Sequence, residues 1–249
     1  MPYAKNGDIN IYYEVEGEGP PLVLHHGFSG YLDNWREQGY VEALRDSYRL
    51  ILMDARGHGK SDKPHDPEAY AIKYKTGDVI SVINDLGIET TNFFGYSYGG
   101  RIGYRLAKYA PERIKSVIVG GAAYGTANPN QEQRIKMLEG GPEAIIAQLE
   151  KLATLTPEMR ENILAYDCEA LIAILKATWD DIEADLPDMI MPFLLFVGES
   201  DPSFPGVEKT SKSLPDATFV SLPGLNHLEA ASRIDLIIPH IRQFLARVN

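Results

Sequence analysis

The stretch FFGYSYGGRIG, residues 93–103, sets Ser97 among four glycines directly after a run of aromatic residues. An apolar strand that ends at Tyr96 and becomes a helix near Tyr98 has to reverse tightly at residue 97. Such a reversal holds the residue in a sparsely populated backbone conformation, a strain of about 1–3 kcal/mol. Gly95 and Gly99, two positions to either side, remove the side chains that would collide across the bend. The Ser97 hydroxyl is then left projecting beyond the strand, at the mouth of the following helix. A helix start carries unpaired N–H groups and partial positive charge, so an oxyanion forming beside Ser97 would meet backbone donors, the Tyr98 amide first. A serine presented in this way is an acyl-transfer nucleophile that lacks only a base. For five residues taken alone, a glycine-rich turn without chemistry is the plainer alternative.

The flanking sequence predicts the frame that would hold such a turn. Residues 1–16 read as a hairpin, with INIYYEV as a strand and Asn6-Gly7-Asp8 as the turn before it. Short, nearly continuous apolar runs follow at PLVLHH, YRLILMD, NFFGY, KSVIVGG, MPFLLFVG and ATFVSL, mostly separated by segments of helical character. Such runs suit strands buried on both faces, and the helices between them suit parallel crossovers. The expected architecture is an α/β fold: a mostly parallel, doubly wound sheet that begins with an antiparallel hairpin. The interval between VGGAAYG and MPFLLFVG is too long for one crossover. It carries helix starts at Gly141-Pro142-Glu143 and Thr156-Pro157-Glu158. Two apolar faces are expected there, one of Ile145, Ile146, Leu149 and Leu152, the other of Leu171, Leu175, Thr178 and Ile182. Residues 125–186 are therefore expected to form a helical cap inserted into a core domain of residues 1–124 and 187–249, a packed helical subdomain without a ligand role being the alternative.

Composition narrows the partners. The 249 residues are enough for one large domain with an insertion, and the formal net charge of −11 disfavours binding to nucleic acid or an anionic bilayer. No apolar run approaches the roughly 20 residues that cross a bilayer, and MPYAKNGDIN lacks the pattern of a secretory signal, which predicts a cytoplasmic protein. A lone cysteine, Cys168, agrees with a reducing compartment and reads as structural, because DCEALIAILKATW looks helical. Nothing in the sequence specifies an oligomeric state.

Four motifs in order carry a resemblance that spans nearly the whole chain outside the expected cap: LHHGFSG at 24–30, DARGHGKSD at 54–62, FVGESD at 196–201 and LNH at 225–227. With the G-x-S-x-G of residues 95–99, the sequence resembles the α/β-hydrolase fold family, whose nucleophile elbow has this pattern, on its serine carboxylesterase and lactonase side. The resemblance implies that LHHGFSG is the oxyanion loop, in which the residue after His-Gly, Phe28, donates its amide. It also implies that FVGESD delivers the acid of a catalytic triad and LNH its histidine. Family members with aspartate at the elbow attack epoxides or carbon–halogen bonds, so Ser97 points instead to acyl chemistry.

Position selects the base from six histidines. His25 and His26 are consecutive at a strand end and read as shaping the oxyanion loop, His58 belongs to the glycine-bearing loop, His65 lies in KPHDP at the surface and His240 in the last helix. Only His227 follows the final strand on a short loop able to carry an imidazole over the sheet to Ser97. With an ordinary pKa of about 6.5, an imidazole takes the serine proton near neutrality and returns it to the leaving group. The acid that fixes its tautomer is expected to be Asp201, after the strand FLLFVG, with Glu199 as the rival. The VGGAAYG segment offers no carboxylate. Asp54, His58 and Asp62 lack spacing that would bring metal ligands to one face, so their loop reads as a brace.

The expected reaction is hydrolysis of carboxylic esters with small to medium acyl chains: Ser97 attacks, the Phe28 and Tyr98 amides hold the oxyanion, His227 shuttles the proton, and water releases the acyl-enzyme. No cofactor or metal is needed, and the partner is a small-molecule ester or lactone. Lactone hydrolysis is the runner-up, because a cyclic ester needs the same groups. Amide or carbon–carbon cleavage and acyl or peracid transfer remain open, as does a small-molecule receptor on the same fold. Tyr124, Met137, Leu175, Trp179 and Leu225 are candidates to line an acyl pocket, core packing being the alternative for each.

Overall fold

The computed structural model describes residues 3–125, 130–151 and 155–249. Its eight strands are β1 (Tyr3–Asn6), β2 (Ile9–Glu16), β3 (Pro21–His25), β4 (Arg49–Met53), β5 (Thr91–Tyr96), β6 (Ile114–Gly120), β7 (Phe193–Gly198) and β8 (Ala217–Leu222). They form one sheet in the order β1-β2-β4-β3-β5-β6-β7-β8. β2 runs antiparallel to both β1 and β4, and every later pair is parallel. The hairpin and the doubly wound sheet are thus both present, and each apolar run named above became a strand. β8 differs from the central strands in being largely half-buried, because it is the sheet's edge and has a neighbour on one side only.

The helices are α1 (Asn34–Glu37), α2 (Tyr40–Leu44), α3 (Ile72–Asp85), α4 (Tyr98–Tyr109), α5 (Gln131–Glu139), α6 (Gly141–Leu149), α7 (Pro157–Leu164), α8 (Cys168–Lys176), α9 (Phe204–Ser213), α10 (His227–Ser232) and α11 (Ile234–Val248). Alternation along the central strands feeds two cores. In β7, Phe193, Leu195 and Val197 enter the core shared with Ile102 and Leu106 of α4 and with the helices after β6, whereas Leu194 and Phe196 enter the one shared with Trp35, Tyr40, Ile237 and Ile241. A strand buried on both faces has to be apolar at every position, which is why FLLFVG has no polar alternation. Among the described residues, no helix is long and apolar enough to cross a membrane.

Register brings the ends of the parallel strands into one row. His25 pairs with Gly95, Tyr96 with Gly120, Gly120 with Phe196 and Gly198 with Leu222. The loops that leave these carboxyl ends therefore gather over one edge, where α/β sheets bind ligands.

Helices α5–α8 fill the interval between β6 and β7. Thr156 caps α7 by accepting the Met159 amide, and Ile145 and Ile146 are buried. Leu152 lies outside the described residues. The face proposed for Leu171, Leu175, Thr178 and Ile182 is corrected: α8 stops at Lys176, and Ala177 turns extended. Leu171 and Leu175 are buried on the helix, Thr178 is exposed beyond it, and Ile182 is buried from a separate segment. The break has a local cause. Buried Arg105 grips Asp180 through its side chain and its carbonyl, which draws residues 177–180 out of the helical path.

Candidate active site

Ser97 sits between β5 and α4 at φ +53°, ψ −108°, a conformation that L-residues rarely adopt. Its amide donates to the Gly120 carbonyl at 2.7 Å, which ties the strained turn to the neighbouring strand. A side-chain carbon at Gly95 would fall 2.2 Å from the carbonyl of Gly99, so the bend closes only with glycine there.

The Ser97 hydroxyl donates to His227 Nε2 at 3.0 Å, and His227 Nδ1 donates to Asp201 Oδ2 at 2.6 Å. These three side chains, whose outer members in the sequence, Ser97 and His227, are 130 positions apart, form one continuous line. Asp201 is buried. Burial pushes its carboxyl pKa up, but the hydrogen bonds from His227 and from the Ser203 amide at 2.8 Å outweigh this and hold it below the ordinary carboxylate value. Glu199, the rival, is exposed and accepts from the Ser221 hydroxyl at 3.2 Å.

His227 is the first residue of α10, and a capping box fixes it there. The Asn226 side chain accepts the Leu228 and Glu229 amides, both at 3.0 Å, while the Glu229 carboxylate accepts the Asn226 amide at 2.8 Å. Tyr96 donates its hydroxyl to the His227 carbonyl. A side-chain carbon at Gly121 would stand 2.9 Å from the imidazole Cε1, so that glycine leaves room for the ring.

Phe28 and Ser29 lie on the loop after β3. A carbon placed at Gly27 would be 3.6 Å from Ser97 Cβ, which measures how closely this loop approaches the hydroxyl. Neither the Phe28 nor the Tyr98 amide donates to another described residue.

The DARGHGKSD loop braces this arrangement. Buried Asp54 accepts the Leu32 amide at 2.7 Å and the Lys60 amide at 2.8 Å. His58 donates from Nδ1 to the Arg56 carbonyl and accepts the Ser29 amide on Nε2. His26 is held likewise, between the Gly27 carbonyl and the Ala55 amide. A second proton on either ring would set N–H against N–H. Burial, and for His58 the neighbouring His26, holds both rings neutral, His26 down at about 4 and His58 well below its ordinary value.

A cavity of about 700 Å³ opens above Ser97 and His227, lined also by Phe28, Tyr98, Leu175 and Trp179. Of the five proposed pocket residues, Leu175 and Trp179 therefore face it, whereas Tyr124, Met137 and Leu225 do not. Tyr124 is turned toward Glu183 and Lys209, and Met137 packs against the core of its own helices. Leu225 packs into the second core beneath the loop, leaving exposed Leu228 at the cavity. Sequence reasoning missed Arg101, Gln131 and Arg134, which also line it. For Arg101 the signal was present, because the fourth residue after Ser97 lies one helical turn farther on the same face.

Comparison with known proteins agrees with this geometry. Residues 20–160 match the family model for the alpha/beta hydrolase fold. The chain belongs to the alpha/beta hydrolase fold family. It is 30% identical, over the full length of both chains, to the Azorhizobium caulinodans protein named "Putative carbamate hydrolase RutD". Among solved structures it resembles the enol-lactonase of Burkholderia xenovorans, with a TM-score of 0.85, 25% identity and coverage of 98% of this chain and 100% of that one. It also resembles a thermophilic esterase from Thermogutta terrifontis, with a TM-score of 0.81, 26% identity and coverage of 96% and 94%. This alpha/beta hydrolase thus has relatives that bear esterase and lactonase names.

Proposed function

We propose that this alpha/beta hydrolase is a serine carboxylesterase for small to medium acyl chains. The reading is carried by the unbroken hydrogen-bonded line from Ser97 through His227 to Asp201. His227 takes the hydroxyl proton as Ser97 attacks the ester carbonyl, and the negative Asp201 carboxylate stabilises the imidazolium that results. The Phe28 and Tyr98 amides receive the tetrahedral oxyanion. His227 then protonates the departing alcohol, and water, deprotonated by the same imidazole, releases the acid from Ser97. Residues 125–186 act as a cap over the acyl chain, with Leu175 and Trp179 as apolar walls.

Lactone hydrolysis is the second reading, favoured by the likeness to the enol-lactonase over 98% of the chain. It uses the same groups, and the alcohol then stays tethered to the acyl-enzyme.

A fluorophosphonate probe tests the nucleophile: the wild type should be labelled on Ser97 and turn over p-nitrophenyl acetate, and Ser97→Ala should do neither. A wild type that is neither labelled nor active refutes the proposal and favours a ligand receptor on this fold.

A further inference from the structure

The chain carries 35 acidic residues against 24 basic ones, yet the lining of the cavity inverts that balance. Among the described residues that line it, Arg101, Arg134 and Lys176 are cationic and none is aspartate or glutamate. Arg101 lies one turn of α4 beyond Ser97. Its guanidinium lies 4.0 Å from the centre of the Trp179 ring, and Arg134 lies 4.2 Å from that of Phe28. Both arginines therefore sit against aromatic residues that border the reacting centre.

The neighbouring cations separate into two kinds. Arg56 forms a two-pronged pair with Asp78 at 2.9 and 2.6 Å, and Arg105 pairs with Asp180 at 3.0 Å. Arg101 has no such carboxylate: one of its terminal nitrogens donates to the Gly125 carbonyl at 2.8 Å, and its buried Nε meets no acceptor among the described residues. Lys75, 3% exposed, is alike in that its ammonium has no hydrogen-bond partner among the described residues and stands 4.1 Å from the centre of the same Trp179 ring. Burial, together with Arg101, Arg105 and Arg56, pushes that lysine down to about 7. Burying donors and positive charge without an acceptor is costly, and an arriving anion offsets that cost. A neutral acyl chain leaves it in place.

We infer that the substrate carries a carboxylate in addition to its scissile carbonyl, and that Arg101 binds this carboxylate beneath Trp179, with Arg134 closing on it from α5. Lys75 does not line the cavity; it adds positive potential from behind Trp179. The inference rests on the ester or lactone hydrolase reading for the reaction, and anion binding itself is separable from turnover.

Two matched ester series test it. The first pairs monomethyl succinate, glutarate and adipate with methyl 4-methylpentanoate, 5-methylhexanoate and 6-methylheptanoate, in which an isopropyl end replaces the carboxylate. The second pairs 4-acetoxybutyrate with 4-methylpentyl acetate, which puts the charge on the alcohol side. In at least one series, kcat/KM should favour the anion tenfold or more, and Arg101→Gln should bring the ratio of anionic to neutral kcat/KM, measured on the same variant, down to about one. Calorimetric titration of glutarate into Ser97→Ala should give binding that weakens at least tenfold when Arg101→Gln is added, with Arg134→Gln as an independent second variant. Neutral esters turned over as well as their anionic partners, with no glutarate binding, would overturn the inference and leave the esterase standing. Arginine-dependent glutarate binding without hydrolysis of any ester would uphold the anion site and refute the esterase.

Discussion

A side-chain carbon added at Gly99 would stand 2.1 Å from the carbonyl oxygen of His25. The helix that follows Ser97 and the strand that leads into the Phe28 loop thus touch backbone to backbone. This contact fixes the approach of the Phe28 loop to Ser97, and backbone atoms cannot move aside as a flexible side chain can.

Gly99→Ala is therefore expected to destabilise the fold by about 3 kcal/mol or more, beyond the usual cost of overpacking, and to abolish serine labelling. Gly87→Ala is the contrast: its φ is positive, at +66°, whereas Gly99 is an ordinary helical residue, and nothing lies within 4 Å of the carbon added at 87. It should cost only about 1–2 kcal/mol, the price of the left-handed conformation. Urea unfolding compares the two. A loss in Gly99→Ala no larger than that in Gly87→Ala would show that the contact with His25 yields to a side chain and does not demand glycine at 99.

The acid has a discriminating pair of variants. Asp201→Asn leaves a group that still fits between His227 and the Ser203 amide but presents an amide to the imidazole, so the ring loses the tautomer that accepts the serine proton. kcat for an activated ester should fall about 10⁴-fold, with the unfolding midpoint nearly unchanged. Glu199→Gln, whose exposed carboxylate accepts from Ser221 and touches none of the triad residues among the described contacts, should stay within about twofold of the wild type. A severe loss in Glu199→Gln and a mild one in Asp201→Asn would transfer the acid's role.

Much of this was legible because the determining signals are local. FFGYSYGGRIG announces the strand, the bend and the helix in eleven consecutive letters, and the unbroken apolar runs specify strands covered on both faces. The pocket was read less well. Tyr124, Met137 and Leu225 are apolar residues near the right loops, but whether each faces a cavity or a core depends on docking of α5–α8 and on the turn before α10. The apolar spacing from Leu171 continues through Thr178 to Ile182, whereas the bond between Arg105 and Asp180, 75 residues apart, ends α8 at Lys176. Arg101 was overlooked for a different reason: its spacing from Ser97 places it on the same helical face, but charged residues on helices usually face water, and its seat against Trp179 depends on where the segment after α8 docks.

Acid should weaken the fold through the histidines of the bracing loops. Burial, reinforced by His26 in the case of His25, lowers His25 to about 3 and His26 to about 4, and His58 lies well below its ordinary value. Above about pH 6.5 these rings are neutral in both states and cost nothing. Between about pH 6.5 and 4 the unfolded chain takes up protons that the folded chain refuses, so stability falls by about 1.4 kcal/mol per pH unit for each ring. Urea unfolding at pH 7.5, 6.0 and 5.0 should follow this slope. His58→Gln should lower stability at pH 7.5 and make the slope shallower by one ring's share. Stability that stays level from pH 7.5 to 5.0 would mean that these rings take up protons when folded.

The capping box offers a way to move the base without touching it. Asn226 accepts two amides at the start of α10, and Glu229 returns a bond to the Asn226 amide, so the turn that holds His227 is closed on both sides. Asn226→Ala removes the two accepted bonds and should cost about 1 kcal/mol of stability. Because His227 is the next residue, the imidazole also loses its fixed distance from Ser97, and kcat should drop about tenfold or more, since small misplacements of reacting groups are severe. Asn226→Asp keeps the acceptor and adds a negative charge at the helix start, so it should retain both stability and turnover. A steady-state comparison of the three proteins at neutral pH, with unfolding midpoints measured alongside, separates the effects. If Asn226→Ala loses stability and keeps its full kcat, then Tyr96 and Asp201 suffice to hold the imidazole, and the box serves the fold alone.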